Sequence, residues 1–510
     1  MRPRDNSAFR SRLLLGVAVF AIVLAVIRAW LQSMTMDEVD TYFWYVATSR
    51  IWNPFPNNHV LNTLLMWIAT RAFGISSMAL RSPALLGATL YVSVCYFLCR
   101  VIVDRFSIQL ALLVCLVYNP FILDYMVAAR GYGLADAFLF TAIAVPVWHL
   151  AKNRSSLCQS CALASLALGL SFAANFTFFF VDLWAFLALA IWAIGRRDTQ
   201  SAPRILAYCI LPGLGLVLLL CGYTLVHWKR DDLIWGATSL RDMTQSLLDS
   251  SLYRLNPQFQ ETVWYQPVNS LAPWLIPLLS LLCVFHVVAT KLDGSWSANN
   301  QTRWLGKWAS AIGCILTLSI FTHWLAFRVD HLLLPVGRTG LFLIPLTTLL
   351  AGAIAAVPTR SLVSLWLRRS ITAVFFCLAG YFLLCLRISY FREYQWDADA
   401  KNVYSVLARF NHTYGVKEVG MTGLFCPALN YYRMLSKGET LSEFRLESPN
   451  PPPGKSIYVM SESVEQNFIS KEKLVIVYRG NFTDVIVAVR PGTTFIPALL
   501  DRGPRSLPSR

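Results

Sequence analysis

Charge is scarce in this sequence. Of 510 residues, only 14% are Asp, Glu, Lys or Arg, while 56% are hydrophobic. A soluble globular protein carries about 25% charge. So little charge cannot coat the water-facing surface of a chain this long, which argues against a soluble globular protein and for burial of most of the chain in lipid. Acids are the rarer sign, 28 against 44 basic residues. The basic excess is not a nucleic-acid footprint, because no basic strip is interleaved with aromatics that would stack on bases. A disulfide framework is also missing: nearly all of the 12 cysteines lie within apolar runs, where a thiol behaves as a small hydrophobe. Cys158 and Cys161 form a CxxC, but inside such a run and without a second pair, which disfavours metal or redox use. No repeat, low-complexity tract or lipidation motif is evident.

What fills the chain is long apolar runs. The stretches 13–31, 79–103, 108–123, 133–150, 158–174, 177–194, 205–226, 271–290, 309–327, 341–357 and 371–386 each approach the ~20 residues that span a bilayer. The expected fold class is an α-helical polytopic membrane protein with about eleven transmembrane helices. The first run is longer than the apolar core of a signal peptide and lacks a small-residue cleavage site after it, so it reads as a retained helix. The basic segment MRPRDNSAFRSR before it belongs in the cytoplasm. Alternate loops then carry Arg100 and Arg105, Lys152 and Arg154, GRRDTQSAPR, Lys291 with Arg303 and Lys307, and Arg360 with Arg368 and Arg369. This is the positive-inside pattern, and it absorbs most of the net charge.

Segments 32–78, 228–270 and 389–510 stand outside the runs. The first holds the acidic cluster MTMDEVDTYFW, then IWNPFPNNHV, then the amphipathic HVLNTLLMWIATRAF. It and 228–270 mix aromatics with charge, as interfacial helices do. The tail is polar and turn-rich, with β-type runs SIYVM, KLVIVYRG and DVIVAVR and a helical stretch at 398–410. We therefore expect a transmembrane domain over 1–390 and a small extracytoplasmic α/β domain over 391–510. Asn411-His-Thr and Asn481-Phe-Thr are glycosylation sequons on the expected outer side.

Polar residues near span ends gather on one side of this topology. They are Asp37, Glu38 and Asp40; Asn57, Asn58 and His59; Asp124 and Arg130; Lys229 to Asp232; and Arg328, Asp330, His331 and Arg338. Charge at a membrane edge is costly, and each instance needs a reason. Carboxylates facing arginines suit sugar transfer from a lipid phosphate. Arginine binds the phosphate with paired donors. A carboxylate takes the proton of an acceptor hydroxyl as it attacks the anomeric carbon, and cations stabilise the departing phosphate.

Structural alternatives stand beside each assignment. Thr35-Met-Asp-Glu38 fits a capping box, with Thr35 capping and Glu38 reaching back to the Thr35 N–H. Neighbours do not share a helix face, so Asp37 and Glu38 are not an equivalent pair. Arg130 and Arg338 could serve as helix-end anchors, and Gly131 and Gly133 as helix breakers around Tyr132. Glu38, His59 and His331 form a candidate set for a divalent ion. Asp136 and Asp182, inside apolar runs, form a candidate proton path. They favour a rival reading, a proton-coupled transporter or lipid flippase, although the repeated halves expected of many transporters are not evident.

Four features together resemble the membrane glycosyltransferases of the GT-C superfamily: MTMDEVDTYFW, NNHVLNTLL, DYMVAARGYGLADAFLF and LPVGRTGLFLIPL, in that order. The branch most similar is family 39, with the protein O-mannosyltransferases and the lipid A aminoarabinose transferases. The resemblance covers roughly residues 10–390. It implies a GT-C fold, interfacial helices over a cavity, a polyprenyl-phosphate-linked sugar donor and a lipid, glycan or protein acceptor, in a bacterial inner membrane. It also implies Asp37 as general base of an inverting transfer, with Glu38 supporting it. Arg130 and Arg338 carry over as donor-phosphate contacts, and Asp40, Asn58, His59, Tyr132 and His331 become candidate substrate contacts. Thr339 departs from the pattern, where the family places a tyrosine after the second arginine.

Overall fold

In a bilayer the backbone must satisfy its own hydrogen bonds, so apolar runs of this length fold as helices. A computed structural model describes residues 4–152, 156–196, 201–229, 232–252, 265–292, 300–357, 362–421, 425–436, 440–445 and 451–493. The first half holds α1 (Arg4–Leu31), α2 (Met36–Thr41), α3 (Val60–Phe73), α4 (Ser77–Ile102), α5 (Phe106–Val117), α6 (Pro120–Tyr125), α7 (Tyr132–Lys152), α8 (Leu157–Ala174) and α9 (Phe179–Ile194). There follow α10 (Ala202–Val226), α11 (Leu240–Leu252), α12 (Tyr265–Leu292), α13 (Asn300–Asp330), α14 (Leu343–Ala356) and α15 (Leu362–Leu384). Among the described residues, nine helices are long and apolar enough to cross a membrane: α1, α4, α7 to α10 and α13 to α15. The chain is an integral, multi-pass membrane protein by length and composition of its helices. Exposed Leu218, Leu219 and Val226 on α10 are apolar surface of the kind that meets lipid.

One expected run departs from a simple span. The stretch 108–123 is broken, because Asn119 caps a new helix by accepting from the Phe121 N–H at 3.0 Å, and Pro120 opens it. Proline fits the first turn, where its missing N–H costs nothing. The stretch 271–290 lies in α12, one continuous helix with Pro273 and Pro277 inside it. Spans elsewhere pack through small residues. A Cβ on Gly213 of α10 would meet the Ser165 carbonyl oxygen of α8 at 2.2 Å.

The tail folds as expected around its apolar runs, with one further short strand and two further helices. Strands β1 (Gly420–Met421), β2 (Ile457–Ser461), β3 (Val475–Arg479) and β4 (Val485–Val489) form a sheet of order β1-β2-β4-β3. β1 runs parallel to β2, and the other pairings are antiparallel. The two-residue β1 is too short to leave a pattern in sequence. β4 is buried on both faces. Val485, Val487 and Val489 pack toward α16 (Ala400–Tyr414) and α17 (Cys426–Leu435), and Ile486 and Ala488 toward Phe468 of α18 (Gln466–Lys471). That burial explains its unbroken apolar sequence. Of the two sequons, Asn481 is exposed, but Asn411 is buried with its amide donating to the Val416 carbonyl at 2.7 Å.

Before this sheet, residues 387–399 run along the first loop and stitch it down. Ser33 donates to the Ala398 carbonyl at 2.7 Å, and Met36 N–H donates to Asp397 at 2.7 Å. Tyr432 of α17 accepts from the Met34 N–H at 2.9 Å. The tail therefore helps to hold the acidic cluster in place.

Candidate active site

The sequence MTMDEVDT begins a helix because Thr35 is extended and its hydroxyl accepts the Glu38 N–H at 3.3 Å, while Glu38 Oε2 accepts the Thr35 N–H at 3.0 Å. Both halves of the capping box are present. This leaves Glu38 little freedom, and its remaining capacity is also taken. Arg81 Nε and Nη2 donate to its two oxygens at 2.9 and 2.8 Å, and the Ala129 N–H donates at 2.9 Å. Arg81 spends its other donors on the carbonyls of Ala29, Gln32 and Ser33, at the end of α1. Both side chains are fully buried. Burial pushes the Glu38 carboxyl up, but Arg81 and the two backbone donors outweigh it and hold it below the usual range. Glu38 thus fixes α2 against α1 and α4. It is not free to bind an ion.

Asp37, one residue earlier on α2, faces the other way. Its Oδ2 stands 3.0 Å from Arg338 Nη1 and 3.6 Å from Arg130 Nε, and accepts from the Tyr394 hydroxyl at 2.9 Å. Arg338 Nη1 also donates to that hydroxyl at 3.0 Å, closing a triangle of arginine, tyrosine and carboxylate. Burial raises the Asp37 carboxyl, yet the two arginines and Tyr394 prevail and lower it. Arg130 is fully buried and anchored by Thr41 at 2.7 Å, by the Asp37 carbonyl at 3.2 Å, and by the Asn57 side chain. Asp40 is half-buried, and burial together with the nearby Asp37 charge pushes it up to about 6.

Arg338 sits on a single helical turn, Gly337–Gly340, at the entry to α14. It lines a cavity of about 610 Å³ with His59, Tyr132, Asn57 and Thr339, walled by Phe55, Phe172, Phe176, Phe180, Trp228 and Trp235. The arrangement is one cationic corner, with Asp232 elsewhere on the wall, in an otherwise largely apolar chamber. His59 is buried, and among the described residues neither ring nitrogen has a hydrogen-bond partner. Burial first, then Arg130 and Arg338, push it well below its ordinary value, so the ring is neutral. Its ring packs edge-on against Tyr132 at 5.4 Å. Gly131 is more than a helix breaker: it has φ of +76°, and a Cβ there would lie 2.2 Å from the Ala174 carbonyl oxygen.

Several sequence expectations fall elsewhere. Asn58 does not line the cavity. Its amide is used inside the loop, donating to the carbonyls of Ile51 and Asn53 at 2.8 and 2.9 Å. His331 is exposed, in a left-handed turn with φ of +54°, because it follows directly on the end of α13. With Glu38 consumed by Arg81, the set Glu38, His59 and His331 does not come together, and no group of three potential metal ligands forms among the described residues. Asp124 is taken by Arg28 at 2.5 Å and by the Arg392 N–H at 2.8 Å. Arg230 and Asp231, in the segment 228–270, lie outside the described residues. Asp136 and Asp182 are buried on α7 and α9, and among the described residues their carboxyl oxygens have no hydrogen-bond partner.

Three groups at the site were not visible as such in sequence. Tyr394 and Glu393 come from the 387–399 segment, some 350 residues from Asp37 in sequence. Glu393 is pushed up to about 7, chiefly by burial, and its Oε1 lies close to Gly337. Arg81 hid at the head of an apolar run, although a charge there is itself a signal.

No protein-family model matches the sequence, and no curated protein matches it. Among solved structures, the chain aligns over 95% of its length with 98% of ArnT from Cupriavidus metallidurans in the apo state, at 11% identity and a TM-score of 0.39. It aligns over 94% of its length with 98% of the same ArnT bound to undecaprenyl phosphate, at 11% identity and a TM-score of 0.40. The arabinofuranosyltransferase AftD from Mycobacteria aligns with 94% of this chain over 40% of its own, at 12% identity and a TM-score of 0.40. At these scores, a function for this chain rests on its own site.

Proposed function

We propose that this protein is an integral membrane glycosyltransferase of GT-C type, which moves a sugar from a polyprenyl-phosphate donor to an acceptor hydroxyl on the extracytoplasmic side. The observation that carries the proposal is the Asp37 carboxylate held between Arg338 and Arg130, behind an apolar cavity that Arg338 lines. Anionic phosphate on an apolar tail is the chemistry such a cavity recognises. The four motifs shared with GT-C enzymes point the same way.

Arg338 lines the cavity, and Asp37 stands behind it. A donor phosphate entering the cavity competes with Asp37 for the Arg338 guanidinium. Once Arg338 turns to the phosphate, Asp37 loses an opposing charge, and its carboxyl rises towards the value of a useful base. The acceptor oxygen then attacks the anomeric carbon from the side opposite the phosphate, giving inversion. Its proton passes to Asp37, and the carbon–oxygen bond to the phosphate breaks. Arg130 and Arg338 take up the charge on the leaving phosphate. His59, neutral and, among the described residues, unpartnered in the cavity wall, is placed to hydrogen-bond the donor.

The test uses purified protein with labelled polyprenyl-phosphate sugars and membrane extract as acceptor. Asp37→Asn abolishes transfer by a folded protein. Normal transfer by that variant refutes the assignment. The rival reading, proton-coupled transport, rests on Asp136 and Asp182, buried and, among the described residues, unpartnered. Full transfer after both are changed to Asn counts against a proton path being needed.

A further inference from the structure

A second cavity, of about 420 Å³, lies at the other end of the same helices. On α13, Lys307 lines this one and His323 lines the first. Sixteen residues of helix separate them, roughly 24 Å at 1.5 Å per residue. The second cavity is thus no extension of the carboxylate–arginine site. Its interior is apolar, contributed by α7, α8, α9 and α13, and Trp308 braces its wall by donating to the Ile143 carbonyl at 3.4 Å. At its rim stand Arg196 and Lys307, both exposed, with Trp192 and Trp304 beside them. Among the described residues, no carboxylate lines the cavity and neither cation is paired with one.

We propose that this cavity binds one anionic phospholipid. Its acyl chain fills the apolar interior, and its phosphate sits on Arg196 and Lys307. The argument is one of charge and depth. Two cations with no counter-acid among the described residues leave a local positive charge, which a zwitterionic lipid neutralises poorly and an anionic headgroup neutralises well. Arginine and lysine both serve as phosphate donors, one as a fork and one as a point charge. Indoles mark the level where headgroups meet hydrocarbon. Arg196 follows the end of α9 and Lys307 lies near the start of α13, both on the side that the positive-inside pattern assigns to the cytoplasm, and anionic lipid is the natural partner for such clusters. This proposal does not depend on the one for sugar transfer.

The test is native mass spectrometry of the full-length protein in detergent, titrated with dioleoyl phosphatidylglycerol or dioleoyl phosphatidylcholine. The wild type retains phosphatidylglycerol in preference to phosphatidylcholine. Arg196→Gln with Lys307→Gln weakens phosphatidylglycerol binding about tenfold, as expected for loss of two charge-assisted contacts, and leaves phosphatidylcholine binding unchanged. Ala311→Phe, which fills the cavity and spares both cations, weakens binding of either lipid. Soluble glycerol 3-phosphate does not compete, because it has no chain to bury. Equal retention of the two lipids, or wild-type retention by the double variant, overturns the proposal. So does competition by glycerol 3-phosphate, which would make this a site for free phosphate. The two cations are exposed, so their removal leaves the fold intact, and an unchanged elution profile verifies it.

Discussion

Changing Glu38 to Gln tests the division of labour between two adjacent acids. Glu38 accepts four N–H donors: two from Arg81 and one each from Thr35 and Ala129. A glutamine keeps one acceptor oxygen and turns the other position into a donor. Two or more of those N–H groups then face nitrogen or nothing, at about 1–3 kcal/mol each. The Arg81 charge also stays buried without its counter-ion, and removing one partner of a buried pair costs about 3–5 kcal/mol. These terms overlap, so the expected loss is about 3–5 kcal/mol. Reversible unfolding in mixed detergent micelles, followed by far-UV circular dichroism, measures it. Sugar transfer, scaled to the folded fraction, is expected to stay within a few-fold of wild type. Asp37→Asn also leaves Arg130 and Arg338 short of a counter-ion and so is expected to lose stability, but it differs in showing no transfer even when scaled to the folded fraction. If Glu38→Gln unfolds like the wild type yet fails to transfer, Glu38 acts in the chemistry and the positional argument is refuted.

Asp397 is pushed up to about 8, mainly by burial and then by Asp37, Glu38 and Asp40, against the lowering effect of the Met36 N–H. The folded chain holds this proton more tightly than the unfolded one, so its stabilisation is complete below about pH 4 and is lost as pH rises through about 8. Asp397→Asn keeps the acceptor for Met36, and is expected to be more stable than the wild type at pH 9, on the order of 3 kcal/mol, with no advantage at pH 4; coincident stability–pH curves refute this. Tyr394→Phe removes a hydrogen bond that lowers Asp37. The acidic limb of the kcat/KM profile for transfer should move to higher pH, and an unmoved limb counts against Asp37 as the titrating base. Gly131→Ala meets the Ala174 carbonyl oxygen and an unfavourable φ, and should cost about 2–4 kcal/mol, read as loss of the monodisperse peak in size-exclusion chromatography. An unchanged peak and unfolding midpoint refute the close approach.

Composition and periodicity determined much of this protein without reference to contacts. Scarce charge and long apolar runs dictate membrane helices, because lipid admits few other backbone arrangements. Thr35-x-x-Glu38 specified its own capping box, since all its bonds are local. The tail strands were legible because each is a short apolar run bounded by turn residues. Tertiary structure decided the rest. The capping box already sets Glu38 apart from Asp37 in sequence, but it does not give the two acids their different partners. They differ because Arg81 arrives on one side of α2, while Arg338 and Tyr394 arrive on the other. His331 and His59 were equal candidates until one fell in an exposed turn and the other in a cavity wall. Tyr394 reaches Asp37 only because the segment after the last span folds back under the first loop. No local pattern records such an encounter. Sequence can specify which side chains are costly to bury, but only the packed chain decides which of them meet.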